Sequence, residues 1–253
     1  MVLFYILIFV FGTIIGSFLN VIICRLNTRE SILKNRSHCL FCKKKLSWYE
    51  LIPIISFIIQ LGKCRNCKKK ISWQYPLVEL VTGAIFLLII SNFFSLNALF
   101  LLFVSCFLII IFVYDLKHYL VADIIIYPAI IVAFLYHLQF SIFNFQFLIF
   151  NYLLAGLITG GFFLTIVLIS KGKWMGVGDV KIGVLMGLIL GMPWVFIALS
   201  LAFFIGAIIS IVLLAFKRKT LQSEIPFGPF LVLATFIVIF WGDILLNWYL
   251  NLF

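Results

Sequence analysis

Acidic residues are scarce in this chain. Eight Asp and Glu are spread over 253 residues, and charged residues of both signs make up only 11%. A soluble domain carries about 25% charged and roughly 45–50% apolar residues, whereas 65% of this chain is hydrophobic. Burial rises too slowly with length to hide that much apolar surface in water, which excludes a soluble fold. The first residues lack the basic start and the small-residue cleavage site of a signal peptide. Met1–Ile23 therefore reads as a first spanning helix that stays in place. A glycine-rich nucleotide fingerprint on a strand–helix unit is missing. So are an internal repeat, a low-complexity tract, and any Ser/His pair or Cys nucleophile arranged for catalysis.

What is present is a series of long apolar stretches, at about 2–24, 77–94, 98–114, 121–140, 147–170, 180–192, 194–216 and 226–250. They predict an all-α polytopic membrane protein with about eight transmembrane helices. Twelve of the nineteen Lys and Arg lie between Arg25 and Lys70, and basic loops remain on the cytoplasmic side during insertion. With eight crossings, Lys117, then Lys171, Lys173 and Lys181, then Lys217-Arg218-Lys219 follow to that same side. The outer loops near 95–97, 141–146 and 192–193 carry no Lys or Arg. A single span over 180–216 would put Lys217-Arg218-Lys219 outside, so a break is expected at Gly191-Met192-Pro193, where proline disfavours helix at the residue before it. Topology and anionic membrane lipid account for the basic segment, and nucleic acid is not an expected partner.

This arrangement divides the chain into a first transmembrane helix (1–24), a small cytoplasmic domain (25–76) and a membrane core (77–253). A domain as small as 25–76 calls for a staple. Cys39-Leu40-Phe41-Cys42 and Cys64-Arg65-Asn66-Cys67 form two CxxC knuckles separated by twenty-one residues. Each pair can offer two sulfurs to one tetrahedral ion. Cys39, Cys42, Cys64 and Cys67 are thus expected to hold a structural zinc ion, with thiolates favoured by the many surrounding lysines. Disulfides or redox-active dithiols are the alternative, and a cytoplasmic location argues against stable disulfides. Cys24 and Cys106 read as ordinary buried residues.

The acids are Glu30, Glu50, Glu79, Asp115, Asp123, Asp179, Glu224 and Asp243. An ionisable residue at membrane depth is a functional candidate by default. Asp115 closes the third span in Tyr114-Asp115-Leu116-Lys117-His118, and Asp179 opens the sixth in Gly176-Val177-Gly178-Asp179. The topology puts both at the cytoplasmic boundary, where they can meet. Two carboxyls sharing a site divide into a protonated acid and an ionised base. Gly176 and Gly178 remove side chains beside Asp179, which would admit a substrate backbone and allow unusual backbone conformations. The bland readings are that Asp115 pairs with Lys117 and that Asp179 and Asp123 cap their helices. Asp243 reads as interfacial, Glu79 either supports the site or snorkels, and His137 is expected to be a satisfied interhelical residue.

These motifs, in this order, resemble the bacterial prepilin leader peptidases over nearly the whole chain. The resemblance rests on Gly16-Ser17-Phe18-Leu19-Asn20-Val21 with Arg25-Leu26, the two cysteine knuckles with Leu46-Ser47-Trp48 and Ile71-Ser72-Trp73-Gln74-Tyr75-Pro76, Gly176-Val177-Gly178-Asp179, and Ile225-Pro226-Phe227-Gly228-Pro229. It implies a membrane-embedded aspartic endopeptidase with Asp115 and Asp179 as catalytic pair and a metal-binding domain built on the four cysteines. It also implies cleavage of prepilin and pseudopilin leaders at the cytoplasmic face of the bacterial inner membrane, in type IV pilus or secretion systems. S-adenosylmethionine-dependent N-methylation of the new N-terminus follows in many members. Two departures are Val121-Ala122-Asp123 where the family has Leu-Pro-Asp, and Asn27 where it often has Pro. From other classes, a zinc-bearing transporter or proton channel would use Asp115 and Asp179 as a relay, and an idle assembly factor would keep only the zinc domain.

Overall fold

In lipid a backbone must satisfy its own hydrogen bonds, so apolar stretches of this length have little choice but to be helical. The computed structural model describes residues 2–26, 28, 31, 36–93, 96–141, 146–216 and 225–251. Among them run α1 (Val2–Arg25), a 3-10 turn (Trp48–Leu51), α2 (Ile55–Ile59), α3 (Gln74–Asn92), α4 (Leu96–His118), α5 (Asp123–Ser141), α6 (Gln146–Ser170), α7 (Val177–Leu190), α8 (Trp194–Ala215) and α9 (Gly228–Leu250). No strand occurs among the described residues. Helices stand at all eight expected places, with ends shifted by a few residues. Asn27, Glu30, Glu224, Ser95 and Lys217-Arg218-Lys219, used in the sequence reading, lie outside the described residues.

The chain divides into two compact units, residues 1–110 and 111–253. In the first, α1 and α3 pack closely because glycines line their contact. A Cβ at Gly12 would stand 2.8 Å from Gly83 Cα, and one at Gly16 would stand 2.8 Å from Glu79 Cα. Close approach through small residues is how helices associate in a membrane. The bulky residues of α1, among them Phe4, Phe11, Ile14 and Phe18, face outward. Asn20, fully buried, donates to Tyr75 O at 3.1 Å and accepts from Gln74 Nε2 at 3.3 Å. Arg25 donates to the carbonyls of Ser31 and Arg36. The opening motif is thus the part of α1 that fastens the start of α3 and the loop.

Glu79 neither snorkels nor stays free. Its Oε2 accepts from the Ile54 N–H at 2.7 Å, and the Ser17 side chain also bonds the carboxylate. Ile54 has φ 60, a strained value for a β-branched residue that persists only where surroundings impose it.

In the second unit the short α7 is central. Its 14 residues reach about 21 Å, less than the roughly 30 Å of a bilayer core. Among the described residues, six helices are long and apolar enough to cross unaided; α7 and the shorter apolar stretch Asp123–Gln139 of α5 are not among them. Protein replaces lipid around α7, since Ile182, Gly183 and every residue from Leu185 to Leu190 are buried. Gly183 and Gly187 face α6, where a Cβ at Gly187 would overlap the backbone of Gly156. Thr159 Oγ1 sits 2.8 Å from Gly183 O and 2.7 Å from Ala155 O of its own helix. The predicted break falls between α7 and α8. Gly191 there takes φ 69, ψ −176, a region essentially reserved for glycine, and Asn151 brackets Met192 N and O. On α8 the small residues Ala198, Ala202 and Gly206 are buried, with Gly206 against Phe230 of α9.

Candidate active site and four-cysteine centre

The last turn of α4 carries Asp115, and Asp179 is the third residue of α7. Both are buried, at 4% and 9% exposure. The second unit brings their helix ends together at the start of α9, where a Cβ on Gly228 would meet both Asp115 Oδ2 and the side chain of Ile182, three residues past Asp179. Each is held by a backbone N–H. Asp179 Oδ2 reaches back to accept from Gly176 N at 3.2 Å, so its capping role is real and coexists with the pairing. Asp115 accepts from Gly228 N–H at the first turn of α9, where the helix dipole favours negative charge. The bland alternative, a pairing of Asp115 with Lys117, is not found among the ion pairs of the described residues. Gly228 has to be glycine: a Cβ there would overlap Asp115 Oδ2 and stand 2.8 Å from Ile182 Cδ1.

Neither glycine before Asp179 takes the unusual backbone conformation expected of it. Gly176 has φ −84, ψ 158, ordinary extended backbone, and a Cβ on it would meet nothing nearer than 3.8 Å. Gly178 is helical, and a Cβ there would stand 2.6 Å from Val121 Cγ2. The approach that Gly178 permits is made by this chain's own loop after α4. That loop leads into Asp123, the first residue of α5, whose Oδ1 pairs with Lys181 Nζ. The Lys181 ammonium also lies 5.0 Å from the Tyr127 ring centroid. Thus the segment after the first acid is tied to the turn bearing the second. Sequence reasoning used Lys181 only as a topology marker; a lysine two residues from a buried Asp, in a chain with eight acids, was the available signal.

Other polar residues settle into structural roles. The His137 ring stacks on Tyr152 with centroids 3.7 Å apart and bonds the Leu188 backbone, an interhelical place, although its buried Nε2 is not hydrogen-bonded as a satisfied histidine would be. Asp243 accepts from Trp194 Nε1 at 3.0 Å. Glu50 is buried and accepts from Ser47 N at 2.9 Å. Cys24 and Cys106 are half-buried rather than buried, and Cys24 Sγ touches Tyr75 OH at 3.3 Å.

In the first unit Cys39, Cys42, Cys64 and Cys67 bring their four sulfurs within 4.8 Å of one another, and none is in a disulfide. The Cys39–Cys67 sulfur separation is 3.8 Å. Tetrahedral zinc with bonds of about 2.3 Å sets its sulfurs about 3.8 Å apart, so the site fits that ion. Backbone N–H of Lys44 and the Asn66 side chain lower the Cys42 thiol to about 6, whereas at Cys67 the Lys69 backbone is outweighed by burial and the three neighbouring thiols, which raise it to about 11, so the cluster divides its charge until a cation neutralises it. The two knuckles are copies of one turn. Cys39 N bonds Lys44 O and Lys43 N bonds Cys39 O; Cys64 N bonds Lys69 O and Lys68 N bonds Cys64 O, all at 2.9 Å. Lys43 and Lys68 share φ of 56 and 59. An internal repeat therefore exists after all, as Cys-x-x-Cys-Lys-Lys-Lys followed by Leu46-Ser47-Trp48 or Ile71-Ser72-Trp73. Two copies are too few to stand out by composition.

Comparison with known proteins brings both sites into one family. Residues 10–93 match the bacterial peptidase A24 N-terminal domain, and residues 102–211 match the type IV leader peptidase family. The prepilin leader peptidase/N-methyltransferase of Bacillus subtilis is 31% identical over 97% of this chain and 98% of its own length. The chain belongs to the prepilin leader peptidase family. The protein of the same name from Pseudomonas aeruginosa is 28% identical over 95% of this chain and 91% of its own length. That of Myxococcus xanthus is 42% identical over 36% of this chain and 27% of its own length. No solved structure matches the chain. As a member of this family the chain is a multi-pass membrane peptidase, which sets aside the transporter and the idle assembly factor. The first matched region of this prepilin leader peptidase family member contains the four cysteines, and the second contains Asp115 and Asp179. Gly228, which bonds Asp115, lies beyond both.

Proposed function

We propose that the chain is an intramembrane aspartic endopeptidase that removes the leader from type IV prepilins and pseudopilins at the cytoplasmic face of the bacterial inner membrane. The observation that carries this reading is the convergence at Gly228 of the helix ends bearing Asp115 and Asp179, two buried carboxylates far apart in sequence. Two carboxyls in one site divide into a protonated acid and an ionised base. The ionised one takes a proton from a water, whose oxygen attacks the scissile carbonyl carbon. The protonated one gives its proton to the carbonyl oxygen as the tetrahedral intermediate forms. Collapse of that intermediate returns a proton to the leaving amine. The backbone N–H groups of Gly176 and Gly228 orient the two carboxylates through these steps.

Cys39, Cys42, Cys64 and Cys67 hold zinc in this reading, and the ion acts as a structural staple for residues 25–76 with no part in the cleavage step. N-methylation of the new amine, with S-adenosylmethionine as methyl donor, is proposed from the family alone. The donor would supply its activated methyl group, and no residue is assigned to it. The decisive experiment is cleavage of a synthetic prepilin by the purified protein beside Asp115→Asn and Asp179→Asn. Loss of cleavage in both variants, with membrane insertion intact, is the expected result; cleavage by either variant at the wild-type rate would sink the catalytic pair.

A further inference from the structure

Between the two cysteine knuckles lies a short apolar helix that the fold leaves uncovered. No residue of α2 is buried, and Ile58, Ile59 and the following Leu61 are 63%, 65% and 84% exposed. Phe57 of α2 leans on Trp73 with ring centroids 4.9 Å apart, and Trp73 is itself exposed. Both ends of this segment are pinned. Ile54 N–H donates to Glu79 Oε2 at 2.7 Å. Gly62 N–H donates to Phe57 O at 3.0 Å, and Gly62 O accepts from Ile71 N–H at 2.7 Å. The isoleucines are therefore held outward rather than folded back onto the knuckles.

The depth of α2 follows from Glu79. With 19 residues, α3 reaches about 28 Å, barely the roughly 30 Å of a bilayer core. Its first residue, Gln74, must then stand at the membrane boundary. Glu79, five residues further on, lies about 7–8 Å inside it. The bond from Ile54 brings the start of α2 to that level, the depth of Leu77 and Leu80, which α3 leaves exposed to lipid. An interfacial helix sinks its apolar side about 5–10 Å into the boundary between headgroups and acyl chains, and tryptophan gathers at that boundary. Charge agrees with the same place. From 36 to 73 the chain carries nine Lys and Arg against a single acid, Glu50, which is buried. Exposed apolar side chains amid positive charge alone are what an anionic leaflet takes up.

We propose that α2, with Leu61 and Trp73, is inserted in the anionic lipid leaflet that borders the four-cysteine domain. That domain is then no body hanging in water between two spans. It is fastened to the bilayer at a third point, and the Glu79 carboxylate, by capturing the Ile54 N–H, sets how deep that point lies. The inference depends on the membrane-spanning course of α3 and stands apart from the endopeptidase reading.

The test uses the full-length protein in nanodiscs that contain phosphatidylglycerol, with a fluorescent amino acid introduced as Ile59→dansylalanine or, for reference, as Lys44→dansylalanine on a knuckle. Both positions are exposed, so the probe displaces no packing. Lipid with a nitroxide high on its acyl chain should quench the probe at 59 at least about fivefold more than the probe at 44. A water-confined nitroxide should show the opposite order. Ile58→dansylalanine serves as the second position should the first variant fail to fold, with the same order expected. If the aqueous nitroxide reaches 59 as readily as 44, α2 lies in water. If neither nitroxide reaches 59, α2 lies under protein, a second copy of this chain included. Either result overturns the insertion and leaves Asp115 and Asp179 untouched.

Discussion

Gly178→Ala is the substitution that best separates two explanations of the glycine before Asp179. A Cβ at 178 would stand 2.6 Å from Val121 Cγ2 and 3.1 Å from Val121 Cβ, so either the loop or the first turn of α7 has to shift. Overpacking of this kind costs about 1–3 kcal/mol. Val121 is half-buried in a loop and yields in part, which points to the lower half of that range. Catalysis should suffer more than stability, because Asp179 is the next residue and a misplacement of about 1 Å costs on the order of 100-fold in rate. We expect kcat for prepilin cleavage by the purified protein to fall about 10–100-fold, with a small change in KM. Val121→Ala removes the methyl in the way. The double variant Val121→Ala/Gly178→Ala should recover to within about threefold of Val121→Ala alone, a coupling on the order of 1–2 kcal/mol. If Gly178 instead makes room for a substrate backbone, trimming Val121 restores nothing. That failure, or full activity in Gly178→Ala alone, refutes the packing argument.

Three further outcomes are expected. Gly228→Ala drives a methyl into Asp115 Oδ2 and Ile182, so cleavage should be lost and the thermal midpoint lowered by an overpacking cost of about 1–3 kcal/mol; wild-type cleavage in this variant would show that Asp115 is not held where described. Cys64→Ser leaves three thiolates, and zinc measured by mass spectrometry should drop from about one ion per chain to near none, with loss of protease resistance in residues 25–76. Folded, zinc-free wild-type protein would contradict that assignment. Asp123→Asn breaks the ion pair with Lys181, whose Asp side is 60% exposed; stability should change by less than about 1 kcal/mol, while kcat falls severalfold because the tie between the two acid-bearing segments is lost, and an unchanged kcat would argue against that tie.

Much of this architecture was legible because lipid leaves a chain few options. Long apolar stretches must be helices, basic loops mark one side, and thiols at CxxC spacing point to a metal; the eight helix positions and the four cysteines followed from those rules alone. Asp115 and Asp179 stood out because intramembrane acids are rare. The sequence did not reveal what each glycine meets, since that depends on the neighbour across the contact. Gly12, Gly16, Gly183 and Gly187 let helices touch, Gly228 makes room for a carboxylate, and Gly178 makes room for a valine from another loop. The paired knuckle turns and the Asp123–Lys181 tie escaped notice for the same reason, because hydrogen-bond partners are chosen in space. Composition and spacing decide what must be buried or bound, whereas only the packed chain decides which two groups, remote in sequence, share a site.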